Sequence, residues 1–205
     1  MLGFESVRKE GQLQIGVADE SLSSFIKLVG SAHAASLPEE GRRNLSRSRI
    51  PFADPSAWFV AGVVKTLIDQ LSEVGREQIG TILIDPIGPR EVIRDLRVLR
   101  KEKTTSPMRF AAATPSSLLA VSCILYGLRG PSLVLLCSAR EGIVVAAHTA
   151  HQWMLEGSAN AVLLVSRPSF ESARAVALTT TSDATAQVRR KSMSDFLCGR
   201  GLQAT

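Results

Sequence analysis

Residues 109–165 read RFAAATPSSLLAVSCILYGLRGPSLVLLCSAREGIVVAAHTAHQWMLEGSANAVLLV, and no other part of the chain narrows the possible folds so far. The hydrophobic period changes repeatedly along it. Pro115 stands early in a helical run that Leu118, Leu119, Val121, Ile124 and Leu125 continue, and Gly127 followed by Gly130-Pro131 stops it. An uninterrupted apolar run over 133–137 predicts a buried strand. Glu141 and Gly142 then open a helix over 143–155 that is rich in small residues and closed by Gly157, and 161–165 predicts a second buried strand. The succession helix, strand, helix, strand is one parallel crossover unit with its helices laid on a sheet.

The flanking sequence extends that sheet. A strand is expected at 13–17, then Asp19 as a cap and a helix over 20–28 carrying Leu22, Phe25, Ile26 and Leu28. From 31 to 54 the composition turns polar and charged, with Pro38, Gly41, Arg42, Arg43, Arg47 and Arg49, and predicts a surface loop whose arginines are either solvated or a docking patch. Asp54-Pro55-Ser56 is a helix start. The helix runs through Trp58, Val60, Val63, Val64, Leu67, Ile68 and Leu71 to Gly75, and 78–85 (QIGTILID) follows as a core strand. Residues 90–103 place Val92, Ile93, Leu96 and Leu99 on one helical face and Arg90, Arg94, Arg97, Arg100, Lys101 and Lys103 elsewhere. A last strand is expected at 173–181. The fold class is α/β, with a mixed, mostly parallel five-stranded sheet and packed helices, in a domain over 1–185 with a tail over 186–205.

Composition removes several classes of function. At 205 residues and 45% hydrophobic the chain suffices for one well-cored domain. Its longest apolar runs are far short of a bilayer span, and the N-terminal sequence lacks the layout of a signal peptide, so a cytoplasmic protein without membrane contact is expected. Three cysteines, Cys123, Cys137 and Cys198, form no CxxC pair and predict reduced thiols without a zinc site. The net charge of +5 is spread along the chain, and the basic runs are not interleaved with aromatics, which speaks against nucleic acid; a basic surface equally suits an acidic protein partner.

A helix, then Gly-Leu-Arg-Gly-Pro-Ser at 127–132, an apolar strand, an Ala-rich helix, Gly157 and the strand AVLLV together resemble the N-terminal half of the β-ketoacyl synthase (thiolase-like) condensing enzymes. In active members of that family a cysteine sits at the elbow after the strand, where the helix N-terminus stabilises its thiolate. Counting forward from Ser132 places Ala139 there, and counting back from Gly157 places Arg140; neither is a nucleophile. Cys137 falls too early, and is either a buried structural thiol or a displaced nucleophile. The resemblance is therefore closest to non-catalytic members, the chain-length factors and a divergent ketosynthase-like group associated with aryl polyene pathways. It implies a subunit supporting a condensing partner in fatty-acid or polyketide-type biosynthesis. The implied partners are a ketosynthase-like subunit or a second copy of the chain, and an acyl carrier protein besides; Arg94, Arg97, Arg100 and Lys101 are either a solvated helix face or the contact for that carrier protein or the partner. Leu133, Leu135, Ile143, Val144 and Trp153 are the expected interface, because in the family the corresponding strand lies near a dimer contact and the helix lies between two sheets. The family's C-terminal half, with its catalytic histidines, has no counterpart in this sequence.

Other readings stay open at this point. Cys137 could serve an acyltransferase or thioesterase-like reaction, or the chain could be an unrelated α/β ligand-binding module. His148 and His151 share a helical face but lack the HxxEH or HExxH context of a metal site, so packed structural histidines are expected, and His33 carries no signal. No cofactor is expected, since Pro131 breaks the run of N–H groups that a phosphate cradle after Gly127 would need.

Overall fold

The structure is a computed structural model and describes residues 8–9, 12–13, 26–34, 52–101, 106–169 and 171–180. Two dipeptides near the N-terminus, β1 (Arg8–Lys9) and β2 (Gln12–Leu13), form a small antiparallel ladder. The main sheet holds five strands: β3 (Ile26–Ala34), β4 (Ile79–Ile84), β5 (Ser132–Leu135), β6 (Ala161–Ser169) and β7 (Ser172–Thr180). Their spatial order is β3-β7-β6-β4-β5. The pairs β5/β4 and β4/β6 are parallel, while β7 runs antiparallel to both β6 and β3, so four strands share one direction.

Helices cover both faces of the sheet, which is why β4 and β6 are apolar without alternation. Ile79 and Leu83 of β4, with Ala161, Leu163 and Val165 of β6, face the layer made by α1 (Ala57–Gln70) and α4 (Ser117–Tyr126). Ile82, Ile84, Val162 and Leu164 point the other way, onto α5 (Ala139–Leu155). Strand β7 divides likewise, small Ala173, Ala175 and Ala177 toward α1 and Val176 and Leu178 toward α5. The two remaining helices, α2 (Arg90–Lys101) and α3 (Pro107–Ala112), follow β4 and pack against each other.

One buried carboxylate organises two helix starts. Asp54 Oδ1 accepts from the Ser56 N–H at 2.9 Å and the Ser56 hydroxyl at 2.5 Å ahead of α1. Its Oδ2 accepts from the N–H groups of Glu91 and Val92, at 3.0 and 3.3 Å, in the first turn of α2. A negative charge there satisfies orphan N–H groups and complements the helix dipoles.

Three expectations change at the N-terminal end. Among the described residues the first strand of the sheet is β3; of the expected strand 13–17 only Leu13 is described, in the separate ladder. The end of the helix expected over 20–28 is strand from Ile26 onward, and 31–34, expected as loop, completes that strand. The residues of β3 turned toward α1 are the small Gly30, Ala32 and Ala34, so the period of two carries almost no hydrophobic contrast, and the helical spacing of Leu22, Phe25 and Ile26 outweighs it. The arginines at 42, 43, 47 and 49, Cys198 and the 186–205 tail lie outside the described residues.

Candidate functional site

The elbow between β5 and α5 is where the sequence placed the chemistry. Helix α5 begins four residues earlier than its hydrophobic period implies, at Ala139, because Ser138 is its N-cap. The Ser138 Oγ accepts from the Glu141 N–H at 3.4 Å, and the Ser138 hydroxyl and N–H donate to Glu141 Oε2 at 2.7 and 3.0 Å. This is a closed capping box. The hydroxyl, and then the backbone N–H, of Ser138 hold the Glu141 carboxyl below its ordinary value. The helix terminus that would polarise a nucleophile thus has an internal carboxylate already bound to it.

Ala139 and Arg140, the first two residues of α5, present no nucleophile. Cys137 is half-buried, with its sulfur under the first turn of α5: a Cβ on Gly142 would stand 2.8 Å from Cys137 Sγ and 2.7 Å from Ile84 Cγ2. Gly142 is what lets the helix sit so low over the end of β4. Burial pushes the Cys137 thiol up, and the nearby Glu141 carboxylate adds to this, opposite to the depression that makes a reactive thiolate. Cys123, 3.9 Å from the Thr81 hydroxyl, is likewise raised by burial. His148 is exposed and His151 buried, so the pair does not present two ligands to one space, and among the described residues no group of three His, Cys, Asp or Glu is placed to hold a metal.

A buried ion pair beside the elbow is the feature sequence reading missed. Arg167, at the far end of β6, and Asp85, just past β4, are both fully buried. Arg167 Nη2 donates to Asp85 Oδ1 and Oδ2 at 3.0 and 2.8 Å and to the Gly88 carbonyl at 2.7 Å. The carboxylate also accepts from the Ile87 and Gly88 N–H groups, and the Asp85 N–H donates to the Leu135 carbonyl at the end of β5. One pair therefore ties together the carboxyl ends of β4, β5 and β6, the edge at which parallel sheets carry their sites.

No protein-family model matches the chain, and no curated protein does. Solved structures do. A type II polyketide ketosynthase with its acyl-carrier protein (AntDE:AntF) aligns at a TM-score of 0.57 and 13% identity, over 77% of this chain and 62% of that one. A complex of the ketosynthase ApeO with its chain length factor ApeC, from Xenorhabdus doucetiae, aligns at a TM-score of 0.55 and 14% identity, over 87% of this chain and 93% of that one. The ishigamide ketosynthase/chain length factor aligns at 0.57 and 13%, over 80% and 64%. The chain has the fold of a thiolase-like ketosynthase half-domain. The half-domain spans under two thirds of the first and third of these chains, and nearly all of the second.

Among the described residues, one side of β5 has no strand neighbour. Beside that edge runs a groove of about 480 Å³ lined by Pro115, Leu119, Cys123, Leu133, Val134 and Leu136, among others. Leu136 is exposed, as are Ile124 and Leu125 on α4. On α5, Ile143 is buried against the half-domain's own sheet, and Val144 and Trp153 are half-buried. The outward apolar side chains are instead Val145, 51% exposed, and Leu155, flanked by His148 and Gln152, so the outer face is more mixed than a helix buried on all sides. Leu133 and Leu135 are half-buried toward α5. On α2, Arg94 is exposed and paired with Glu91, and Arg97 is exposed; Arg100 and Lys101 belong to its last turn, and their side chains lie outside the description. No described helix is long and apolar enough to cross a membrane.

The capping box gives a pH prediction. Because the folded state lowers the Glu141 pKa, its contribution is complete above the ordinary value of 4.5 and is lost as pH falls through the lowered one. Ser138→Ala is expected to lower the melting temperature by ~3 °C at neutral pH, and the gap to wild type should narrow well below pH 4.5. A gap independent of pH would mean that the carboxylate contributes nothing to the cap.

Proposed function

We propose that the chain is a non-catalytic, chain-length-factor-like subunit that supports a partner condensing enzyme in fatty-acid or polyketide-type biosynthesis. The observation that carries this reading is the elbow: alanine and arginine occupy the first helical positions, Glu141 is bound to the N-terminus, and the nearest thiol lies under the helix with its pKa raised. The resemblance to structures that contain ketosynthases with chain length factors supports it at the level of fold. The partner is a ketosynthase-like subunit seated along the open edge of β5 and its groove, where Leu133, Leu135, Leu136 and the exposed part of α4 supply apolar contact. The exposed Val145 and Leu155 of α5, with the half-buried Val144 and Trp153, are a second surface. An acidic acyl carrier protein approaches the basic face of α2 at Arg94, Arg97, Arg100 and Lys101.

Two measurements test this. Incubated with an acyl carrier protein bearing a reactive acyl chain, the protein is expected to keep its unmodified mass, since no activated nucleophile is present. Stoichiometric acylation abolished by Cys137→Ser would replace the proposed function with the acyltransferase or thioesterase-like reading. Sedimentation at low micromolar concentration, alone and with a co-expressed ketosynthase, is expected to show a heterodimer. A self-dimer would assign the β5 edge to a second copy, and a monomer indifferent to the ketosynthase would refute the subunit role.

A further inference from the structure

The outer side of α5 has a pattern that a helix merely facing water does not need. After its first turn, the exposed residues of this helix are Val145, His148, Gln152 and Leu155 and no others. Their spacing of three, four and three is that of the a and d positions of a heptad, so they form one seam along the helix. Ile143, Ala146, Ala150 and Met154 are buried on the opposite side, in the core shared with β4 and β6, which turns the seam outward. Both of its ends are apolar and open, Val145 at 51% exposure and Leu155 at 58%.

The seam reads the same from either end: apolar, hydrogen-bonding, hydrogen-bonding, apolar. Val145 and Leu155 are equally far from Ala150 along the chain, and so are His148 and Gln152. An antiparallel helix of the same sequence, crossing beside Ala150, therefore sets Val145 against Leu155 of the second copy and His148 against its Gln152, each contact occurring twice. The polar pair is chemically matched. Gln152 Nε2 donates to Glu156 Oε1 at 2.5 Å, which leaves the Gln152 amide oxygen to accept from a ring N–H of His148 across the seam. A partner with an all-apolar seam would cover both polar groups and satisfy neither, at the full cost of their desolvation. Between Glu141 and Glu156 no residue of α5 is an acid, a lysine or an arginine, so a copy meets no like charge inside the seam.

We propose that the outer seam of α5 is a self-association site, at which a second copy of the chain docks its own α5 antiparallel about a two-fold axis beside Ala150. The inference goes beyond the subunit role and does not depend on it, since it uses α5 alone and leaves the β5 edge to the condensing partner. Two polar positions out of four fix the register at a cost in stability, so the contact is weak, with a dissociation constant on the order of 100 µM. At low micromolar concentration the seam stays open. Such a contact joins assemblies that have already formed and does not build them. At each end of the pair, Glu141 of one copy and Glu156 of the other come within one helical turn along the axis, so added salt tightens the contact.

Sedimentation of the full chain between about 5 and 500 µM tests this, and a dimer is expected at the upper end. The same dimer is expected from Leu136→Glu, which places a charge at the β5 edge. Val145→Glu is expected to weaken it at least about tenfold without lowering the melting temperature, because the side chain is exposed. His148→Leu combined with Gln152→Leu is expected to tighten it about tenfold, a gain that no unfolding can imitate. An oxidised equal mixture of Val145→Cys and Leu155→Cys is expected to link 145 to 155, read by peptide mass. A link from 145 to 145 would overturn the antiparallel pair, in which those positions stand about 15 Å apart along the axis. No dimer at the highest concentration, or a dimer lost in Leu136→Glu and kept in Val145→Glu, would overturn the proposal as a whole. Pairing with a ketosynthase, measured on Val145→Glu, is expected to be unchanged, and its loss would give the α5 seam to the ketosynthase instead.

Discussion

Arg167→Ala is expected to remove a large share of the folding stability of this protein. The substitution leaves Asp85 fully buried and negatively charged, with two backbone N–H donors but no counter-charge, and takes the Arg167 hydrogen bond from the Gly88 carbonyl. Breaking one side of a buried pair costs ~3–5 kcal/mol, against a total stability of ~5–15 kcal/mol for a domain. Replacing both members with apolar residues behaves differently, since the pair's own attraction is largely spent on desolvation. Arg167→Met combined with Asp85→Leu should therefore recover much of the loss, apart from the turn N–H groups that Asp85 satisfied. Urea unfolding of Arg167→Ala and of the double variant measures this. A loss below ~1 kcal/mol for Arg167→Ala would show that the site is wetter and more compliant than its full burial implies.

A comparable loss is expected at Gly130. A Cβ there would stand 2.3 Å from the Ile79 carbonyl oxygen, 2.6 Å from its carbon and 3.0 Å from the Gly80 nitrogen, all of them backbone. That backbone is the start of β4, paired with β6 on one side, while the next residue, Pro131, accepts from the Thr81 N–H at 2.9 Å. No side chain is available to swing aside, so Gly130→Ala is expected to cost ~3 kcal/mol or more, the upper range for overpacking. Gly127, three residues earlier, provides the contrast: it has φ of 66°, and a methyl group there would meet nothing within 4 Å, so Gly127→Ala should cost only the ~1–2 kcal/mol of left-handed backbone. Equal losses at both positions would contradict the distinction.

What the sequence disclosed followed the physics of its signals. β4 and β6 are continuous apolar runs between helices, and Asp54-Pro55-Ser56 marks the start of α1, so their placement needed no knowledge of the neighbours. The true start of α5 was also legible, because Ser138 and Glu141 have the S-x-x-E spacing of a capping box; the hydrophobic period concealed it by beginning at Ile143. The strand β3 was hidden by its small inward residues. The Asp85–Arg167 pair was beyond reach for another reason: each residue reads as the polar end of a strand, and only the parallel register of β4 with β6 brings the two ends together. The basic stripe of α2 was visible in the helical period, whereas the approach of α3 to α2 is tertiary.

The order of the strands in space also sets a timetable for synthesis. The crossover strands β4, β5 and β6 follow one another along the chain and join as soon as β6 has been made, building the centre and one end of the sheet. Strand β3 is translated before any of them, yet its partner in the sheet is β7, the last, with Ile26 opposite Thr180 and Ala34 opposite Ala173. Throughout elongation, therefore, β3 has α1 to pack on but no strand beside it, and its backbone pairing waits for β7. Closing a pairing across so long a chain is entropically slow, so this edge of the sheet is the last to close.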